Sequence, residues 1–313
     1  METQHKDERA LLRRMIMIRA FEAALRARPD HGFQLLSSGQ EAVSVGVCAA
    51  LTAADQLLCS GRSIGPALAR GLDPGAVMAE LVGKTGGLNQ GKAGRGHMAY
   101  PAAGFFGAHA VVGGNLAIAA GVALAFQVAK RPGAVVCLFG DGACGAGALH
   151  ETLNIAAVWR LPLVLVCDNN GMSVSTPRDQ VLAPRHLADL ATPFGVPAVT
   201  VDGMDVLAVR KTAETYIARA RAGMGPAFLE CISERFSSHS TSTVETRSQQ
   251  TMAAIRARCP IARFSAHLAA EGLLDTAQRA MLEIEVAEEV TQALACADSA
   301  PYPDAAAAMS DVV

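Results

Sequence analysis

No C-x-x-C pair occurs among the eight cysteines of this 313-residue chain, so neither a zinc ribbon nor a disulfide frame is indicated. Several cysteines sit inside apolar runs, as in AVVCLFG (134–140) and LVLVCD (163–168), which is the place of reduced core thiols. Neither sign of charge dominates. The 27 Lys and Arg against 29 Asp and Glu leave a net charge of −2, too little for a long-range field that would draw nucleic acid or an anionic membrane. No apolar run reaches the roughly 20 residues of a membrane span. The longest, Leu116 to Val128, is interrupted by Gly121 and rich in alanine, and reads as a tightly packed buried helix. No apolar segment follows the charged opening METQHKDERALLRR, so no secretory signal is visible and a cytoplasmic protein is expected. Internal repeats are absent too. What remains is a chain 51% hydrophobic and 18% charged, which excludes disorder, collagen and coiled coil and supplies a large core.

The apolar spacing of Leu11, Leu12, Met15, Ile18, Phe21 and Leu25 predicts an amphipathic helix over 7–28. A second helix is expected from Glu41 to Leu51, and Asp73-Pro74 starts a third over Pro74–Val82. From Gly83 to Gly113 the pattern lapses: nine residues are glycine, with Arg95, His97 and His109 interspersed. So long a loop in a compact chain is functional or disordered. Four continuous apolar runs follow, at 134–139, 162–168, 198–202 and 227–232, alternating with segments of helical character at 146–159, 184–193 and 205–222. Strands apolar on both faces and alternating with helices predict a three-layer α/β fold, its mostly parallel central sheet flanked by helices. A Ser/Thr-rich loop, 233–248, leads to helices near 249–258, 260–271 and 275–297. Residues 1–300 thus form a single domain with an N-terminal helical segment and C-terminal helices, and 301–313 a frayed tail.

The run 134–139 enters Gly140-Asp141-Gly142-Ala143, and 162–168 ends in Asp168-Asn169-Asn170-Gly171. In one strand-helix-strand unit these two loops lie side by side at the carboxyl edge of the sheet, where ligands bind. Asp141, Asn170 and a backbone carbonyl of the second loop are hard oxygen donors of the kind that hold Mg together with phosphate oxygens. The glycines admit phosphate close to the backbone, and a helix beginning near Cys144 would point N–H groups at it. Two other readings stand beside this one. Gly-Asp-Gly and Asn-Asn-Gly are each ordinary turn sequences, and Gly140-x-Gly142-x-x-Gly145 formally matches the dinucleotide fingerprint. Against that fingerprint, Asp141 would repel an unmetallated pyrophosphate, and Asn170 would have no role.

GDG followed by NN at this separation is the thiamine diphosphate motif, and the surrounding sequence resembles the α subunit of the decarboxylating component of 2-oxo acid dehydrogenase complexes, of the pyruvate, branched-chain and acetoin types. The resemblance runs over about residues 10–275 and is carried by MIRAFE (17–22), GQEA (39–42), ALARGLDPGAVMAELVGK (67–84), GKAGRGHM (91–98), VVGGNLAIAAGVALA (111–125), GDG…NN (140–170) and RFSSHS (235–240). It implies a thiamine diphosphate-binding fold and the cofactors thiamine diphosphate and Mg. By position, Asp141, Asn170 and the carbonyl of Met172 would bind Mg. Arg62, Gly142 and Ala143 would hold the diphosphate, Ala110 and Val112 would lie along the aminopyrimidine, and His239 would be the catalytic histidine. The resemblance also implies an α₂β₂ heterotetramer, active only when a separate β subunit supplies the pyrimidine-binding domain and its glutamate. The glycine-rich stretch Gly113 to Ala125 suits a helix at such an interface, and equally an ordinary core helix.

The implied activity is decarboxylation or C–C cleavage of a 2-oxo acid or acetoin, followed by acyl transfer and oxidation with a lipoyl acyltransferase as a further partner. Relatives commonly carry YRDH or YRGH where this chain has Gly61-Arg62-Ser63-Ile64, and several have a histidine near the position of Leu35. With those imidazoles and that phenol gone, the substrate side is more apolar. Two alternatives therefore accompany the dehydrogenase reading: a non-oxidative carboligase or decarboxylase α subunit, and a non-catalytic partner of a β chain.

Overall fold

The computed structural model describes the backbone of residues 2–311 and side chains from residue 7. In chain order the elements are α1 (Glu2–Ala27), α2 (Glu41–Ala49), β1 (Gln56–Ser60), α3 (Ile64–Arg70), α4 (Pro74–Leu81), α5 (Gly94–His97), β2 (Phe105–His109), α6 (Gly114–Val128), β3 (Val135–Gly140), α7 (Gly147–Trp159) and β4 (Leu163–Asn169). A two-residue ribbon pairs β5 (Met172–Ser173) with β6 (Thr176–Pro177). Then come β7 (Ala198–Asp202), α8 (Val206–Arg221), β8 (Ala227–Ile232), α9 (Gln249–Ala257), α10 (Pro260–Ala270) and α11 (Thr276–Ser299).

Six strands form one parallel sheet in the order β2-β1-β3-β4-β8-β7. Successive side chains of a strand point to opposite faces, and the core divides accordingly. Val136, Leu138, Val164, Val166 and Leu229 pack with α1, α2, α8 and the C-terminal helices. Val135, Cys137, Phe139, Leu163, Leu165 and Phe228 pack under α6 and α7. The three-layer α/β expectation is met, because strands apolar on both faces require cover on both. Among the described residues no helix is long and apolar enough to cross a membrane, and all eight cysteines are free, six of them buried.

Four differences from the sequence reading have physical causes. Two strands, β1 and β2, were not evident: both are five-residue strands, and β2, at the sheet edge, buries only Phe105 and Ala108 and lies inside the glycine-rich segment. The segment 83–113 is therefore not one long loop. The stretch expected as a helix over 184–193 is a series of 3₁₀ turns, Leu187–Phe194, with Pro193 inside, where a missing N–H removes an α-helical bond. Finally, α6 is not buried all round. Its inner side holds Leu116, Ala119, Ala123 and Phe126, while Ile118, Gly121, Ala125 and Val128 face outward.

One buried carboxylate orders the glycine-rich segment. Glu80, on the inner side of α4, accepts N–H bonds from Asn89 and Gly91 at Oε2 (2.7 and 2.9 Å) and from Ala93 and Gly94 at Oε1 (2.8 and 2.9 Å). A backbone with few side chains to pack is thus fixed by charge-assisted bonds. Thr85 donates to the carbonyl of Pro301 through N and Oγ1 (2.9 and 3.1 Å). The Lys84 ammonium lies 3.7 Å from the ring centre of Tyr302, and Lys92 pairs with Asp311 at 2.7 Å. Residues 312–313 of the tail lie outside the described part.

Candidate functional site

The carboxyl ends of β1, β3 and β4 open into a cavity of about 270 Å³. All nine residues singled out from the sequence line it: Arg62, Ala110, Val112, Asp141, Gly142, Ala143, Asn170, Met172 and His239. Parallel pairing of β3 with β4 sets Gly140 opposite Asp168, so the loops that follow emerge next to each other. Asp141–Gly145 forms 3₁₀ turns. At Gly142 an added Cβ would sit 2.9 Å from the Ser173 hydroxyl, so a side chain there would push against the ribbon loop.

Asp141 is 2% exposed, and its Oδ2 is buried without a hydrogen-bond partner. Burial raises its pKa above the usual carboxylate value, against the pull of backbone N–H groups and of Arg178 and Arg235. A buried carboxylate oxygen left unpaired is costly unless something charged meets it. Beside it, Asn170 Oδ1 accepts from the N–H of Met172 at 3.2 Å. Its neighbour Asn169 donates from Nδ2 to Glu230 at 2.7 Å and accepts from Gly171 N–H at 3.1 Å. Glu230 is fully buried, and its other oxygen accepts from Thr200 Oγ1 at 2.7 Å and from Ala188 N–H at 3.2 Å. The Asn-Asn-Gly turn is therefore held from beneath by strand β8.

Asp168 accepts from Gln40 Nε2 at 2.6 Å and from the Ser233 hydroxyl. Burial pushes its carboxyl up to about 7, with Arg62 pulling the other way. On the opposite wall, Arg62 donates to the carbonyls of Leu36 and His239. Burial and the neighbouring Arg235 push this guanidinium down to about 10, so it remains a cation at neutral pH. Arg235, also buried, donates to the carbonyls of Ser237 and Val174, and its Nη1 has no partner. The His239 imidazole is pushed down to about 4 by burial and by Arg62, Arg235 and Arg95, which makes it neutral at physiological pH.

Four residues that shape the cavity carried no role in the sequence reading. Gln40 and Asp168 bond across it, Arg95 lines it, and Arg235 backs it. Gln40 lies within GQEA and Arg95 within GKAGRGHM, so their positions were marked, but the contacts that give them a role are long-range. His97 and His109, noted in the same segment, meet edge to face at 5.9 Å between ring centres and do not line the cavity.

The sequence pattern of the family described as "Dehydrogenase E1 component" matches residues 7–306. The acetoin:2,6-dichlorophenolindophenol oxidoreductase α subunit of Bacillus subtilis is 37% identical over 98% of this chain and 94% of its own length. Its counterpart from Cupriavidus necator is 36% identical over 98% of this chain and 95% of its own length. The pyruvate dehydrogenase E1 component α subunit of Zymomonas mobilis is 36% identical over 96% and 87%.

Proposed function

The chain belongs to the dehydrogenase E1 component family, and from that premise we propose that it is the α subunit of a thiamine diphosphate- and Mg-dependent enzyme acting on a 2-oxo acid or acetoin together with a β subunit. The observation that carries this reading is the buried, unpartnered Oδ2 of Asp141 in a cavity shared with Asn170, Gly142 and Arg62. The donor set fits the group. Asp141, the Asn170 amide oxygen and the Met172 carbonyl would supply three hard oxygens to Mg, and the metal's charge would offset the burial that now disfavours the Asp141 carboxylate. Gly142 and Ala143 would present backbone to the diphosphate, Arg62 its guanidinium, and Ala110 and Val112 an apolar wall for the aminopyrimidine.

When bound, thiamine diphosphate supplies the nucleophilic carbon and the electron sink for cleaving the bond next to a carbonyl. The chain's part is to position and to exclude water. His239, neutral at pH 7, would donate one hydrogen bond to the substrate's carbonyl oxygen without bringing a full charge. The described acids lining the cavity are Asp141, placed to meet Mg, and Asp168, held by Gln40 and Ser233, so the glutamate required at the aminopyrimidine would come from the partner. An outward apolar face supports that partner: Ile118 and Val128 of α6 and Ile155, Val158 and Trp159 of α7 are exposed, Val128 at 75% and Val158 at 68%. Large exposed apolar patches mark interaction sites.

A second reading, non-oxidative carboligation or decarboxylation without a lipoyl acyltransferase, is favoured by the apolar substrate side, where Phe33, Leu35, Val112 and Val174 line the cavity and His239 is the imidazole among the described lining residues. Co-expression with a β subunit of this family, followed by titration of thiamine diphosphate and Mg, tests both. With pyruvate and acetoin as substrates, reduction of an artificial dye is expected for the dehydrogenase. Acyloin or aldehyde without dye reduction would establish the second reading, and no cofactor binding would leave a non-catalytic partner subunit.

A further inference from the structure

Two cations line the cavity, Arg62 and Arg95, and only Arg62 has a role in the reading above. Arg95 sits in the short turn α5. Its Nε donates to the carbonyl of Phe33 at 3.1 Å and its Nη1 to that of Gly61 at 3.3 Å, and its Cζ stacks 4.8 Å from the Phe33 ring centre. Ser63 Oγ donates to the Arg95 carbonyl at 2.6 Å. Upstream, Glu80 pins the turn through Ala93 and Gly94, and both of its oxygens are occupied by backbone N–H groups. Among the described residues, no carboxylate pairs with Arg95 and its Nη2 has no hydrogen-bond partner. Held at both ends, planar and half-buried beside apolar Phe33 and Leu35, it is a preorganised anion receptor.

The anion it meets is constrained by the reaction. A guanidinium bound to the carboxylate that leaves as CO₂ would stabilise that group more before cleavage than during it, which raises the barrier. Such a cation helps only toward an anion that survives the reaction. Resting on the functional reading above, we propose that Arg95 binds a second anionic group of the substrate, and that the enzyme takes a 2-oxo acid carrying a carboxylate or phosphonate at its far end in preference to acetoin or a short monoanionic 2-oxo acid.

The test uses the α–β complex loaded with thiamine diphosphate and Mg. CO₂ release is measured with 2-oxobutyrate, 2-oxoglutarate and 3-phosphonopyruvate, acetaldehyde release with acetoin, and binding of unreactive glutarate and butyrate by calorimetry. The expected result is that kcat/KM for one of the two dianions exceeds that for 2-oxobutyrate by about 10-fold or more, as one charge-assisted pair allows. Which dianion wins identifies the carboxylate or the phosphonate. Arg95→Gln is expected to cut this ratio, and glutarate binding relative to butyrate, by about 10-fold or more, with Arg95→Lys in between because it keeps the charge and loses the fork. Equal or better use of 2-oxobutyrate or acetoin by the unaltered complex would overturn the proposal. So would an Arg95→Gln complex that loses thiamine diphosphate affinity as fully as it loses glutarate, since Arg95 would then belong to the diphosphate. Glutarate binding needs no turnover, so a complex that neither releases CO₂ from these acids nor cleaves acetoin would discard the functional reading while the calorimetry still decides the role of Arg95.

Discussion

The floor of the cavity comes from one strand-helix-strand unit and its front wall from four separate stretches of chain. On the floor, β3, α7 and β4 are consecutive, and parallel register alone brings Asp141 beside Asn170. The front wall gathers Phe33–Gln40, Gly61–Ser63, Arg95 and His239, tied by bonds across long separations. Arg62 reaches Leu36 and His239, Arg95 reaches Phe33 and Gly61, and Gln34 and Thr241 exchange bonds at 3.0 Å. The floor, which would hold a constant group, has its register set within one unit, with Glu230 of β8 bracing the second loop from beneath. The wall that would select a substrate depends on every loop being in place, so it is the part that substitution would loosen first.

The sharpest way to break this contrast is on the floor. Asp141→Ala is expected to remove Mg-dependent thiamine diphosphate binding from calorimetric detection, while the melting temperature without cofactor does not fall, because a buried oxygen with no partner has been deleted. Normal cofactor binding in that variant would refute the assignment of the floor. On the wall, His239→Ala is expected to leave cofactor affinity in place and lower kcat by about 100-fold, the usual size of a lost proton-handling or hydrogen-bonding group. If affinity fell in step with kcat, wall and floor would not be separable.

A smaller effect tests what holds the wall. In Glu80→Gln one acceptor oxygen becomes an NH₂ facing two backbone N–H donors, at a cost of about 2–4 kcal/mol. Denaturant melts should show the loss, and amide exchange should quicken at Asn89–Gly94 before it does in β3 and β4. Uniform quickening would mean that the segment does not open separately.

The smallest effect is one of pH. Glu22 is buried, accepts from Ser37 N–H at 2.6 Å and Ser38 Oγ at 3.0 Å, and burial pushes its carboxyl up from 4.5 to about 7, with Glu41 adding to the rise. Folding therefore favours its protonated form. Its contribution is fully present below about pH 4.5 and is lost as pH rises through 7. The melting temperature of the unaltered chain minus that of Glu22→Gln is expected to be larger at pH 5.5 than at pH 8. His239, shifted the opposite way, titrates in both proteins and cancels from the difference. A pH-independent difference would show that Glu22 is ionised in the folded chain.

Four of the six central strands were legible as apolar runs, because a strand covered on both faces is apolar over most of its length. The other two, β1 and β2, were not, since QLLCS becomes a strand by pairing with β3 and FFGAH by pairing with β1. The helix α6 looked buried because alanine, glycine and valine occupy all its sides, yet which side meets the sheet follows from packing alone. Asp141 and Asn170 could be read because their separation equals one crossover of the chain. Arg95 and Gln40 could be seen but not assigned, and the buried Glu80 sat unremarked in an apolar helix. Hydrophobic periodicity and turn chemistry act over a few residues, so the sequence by itself determined the layered sheet and the paired loops at its carboxyl edge. The charge of the front wall and the outward apolar face arise between residues far apart in the chain, and only the tertiary structure could decide them.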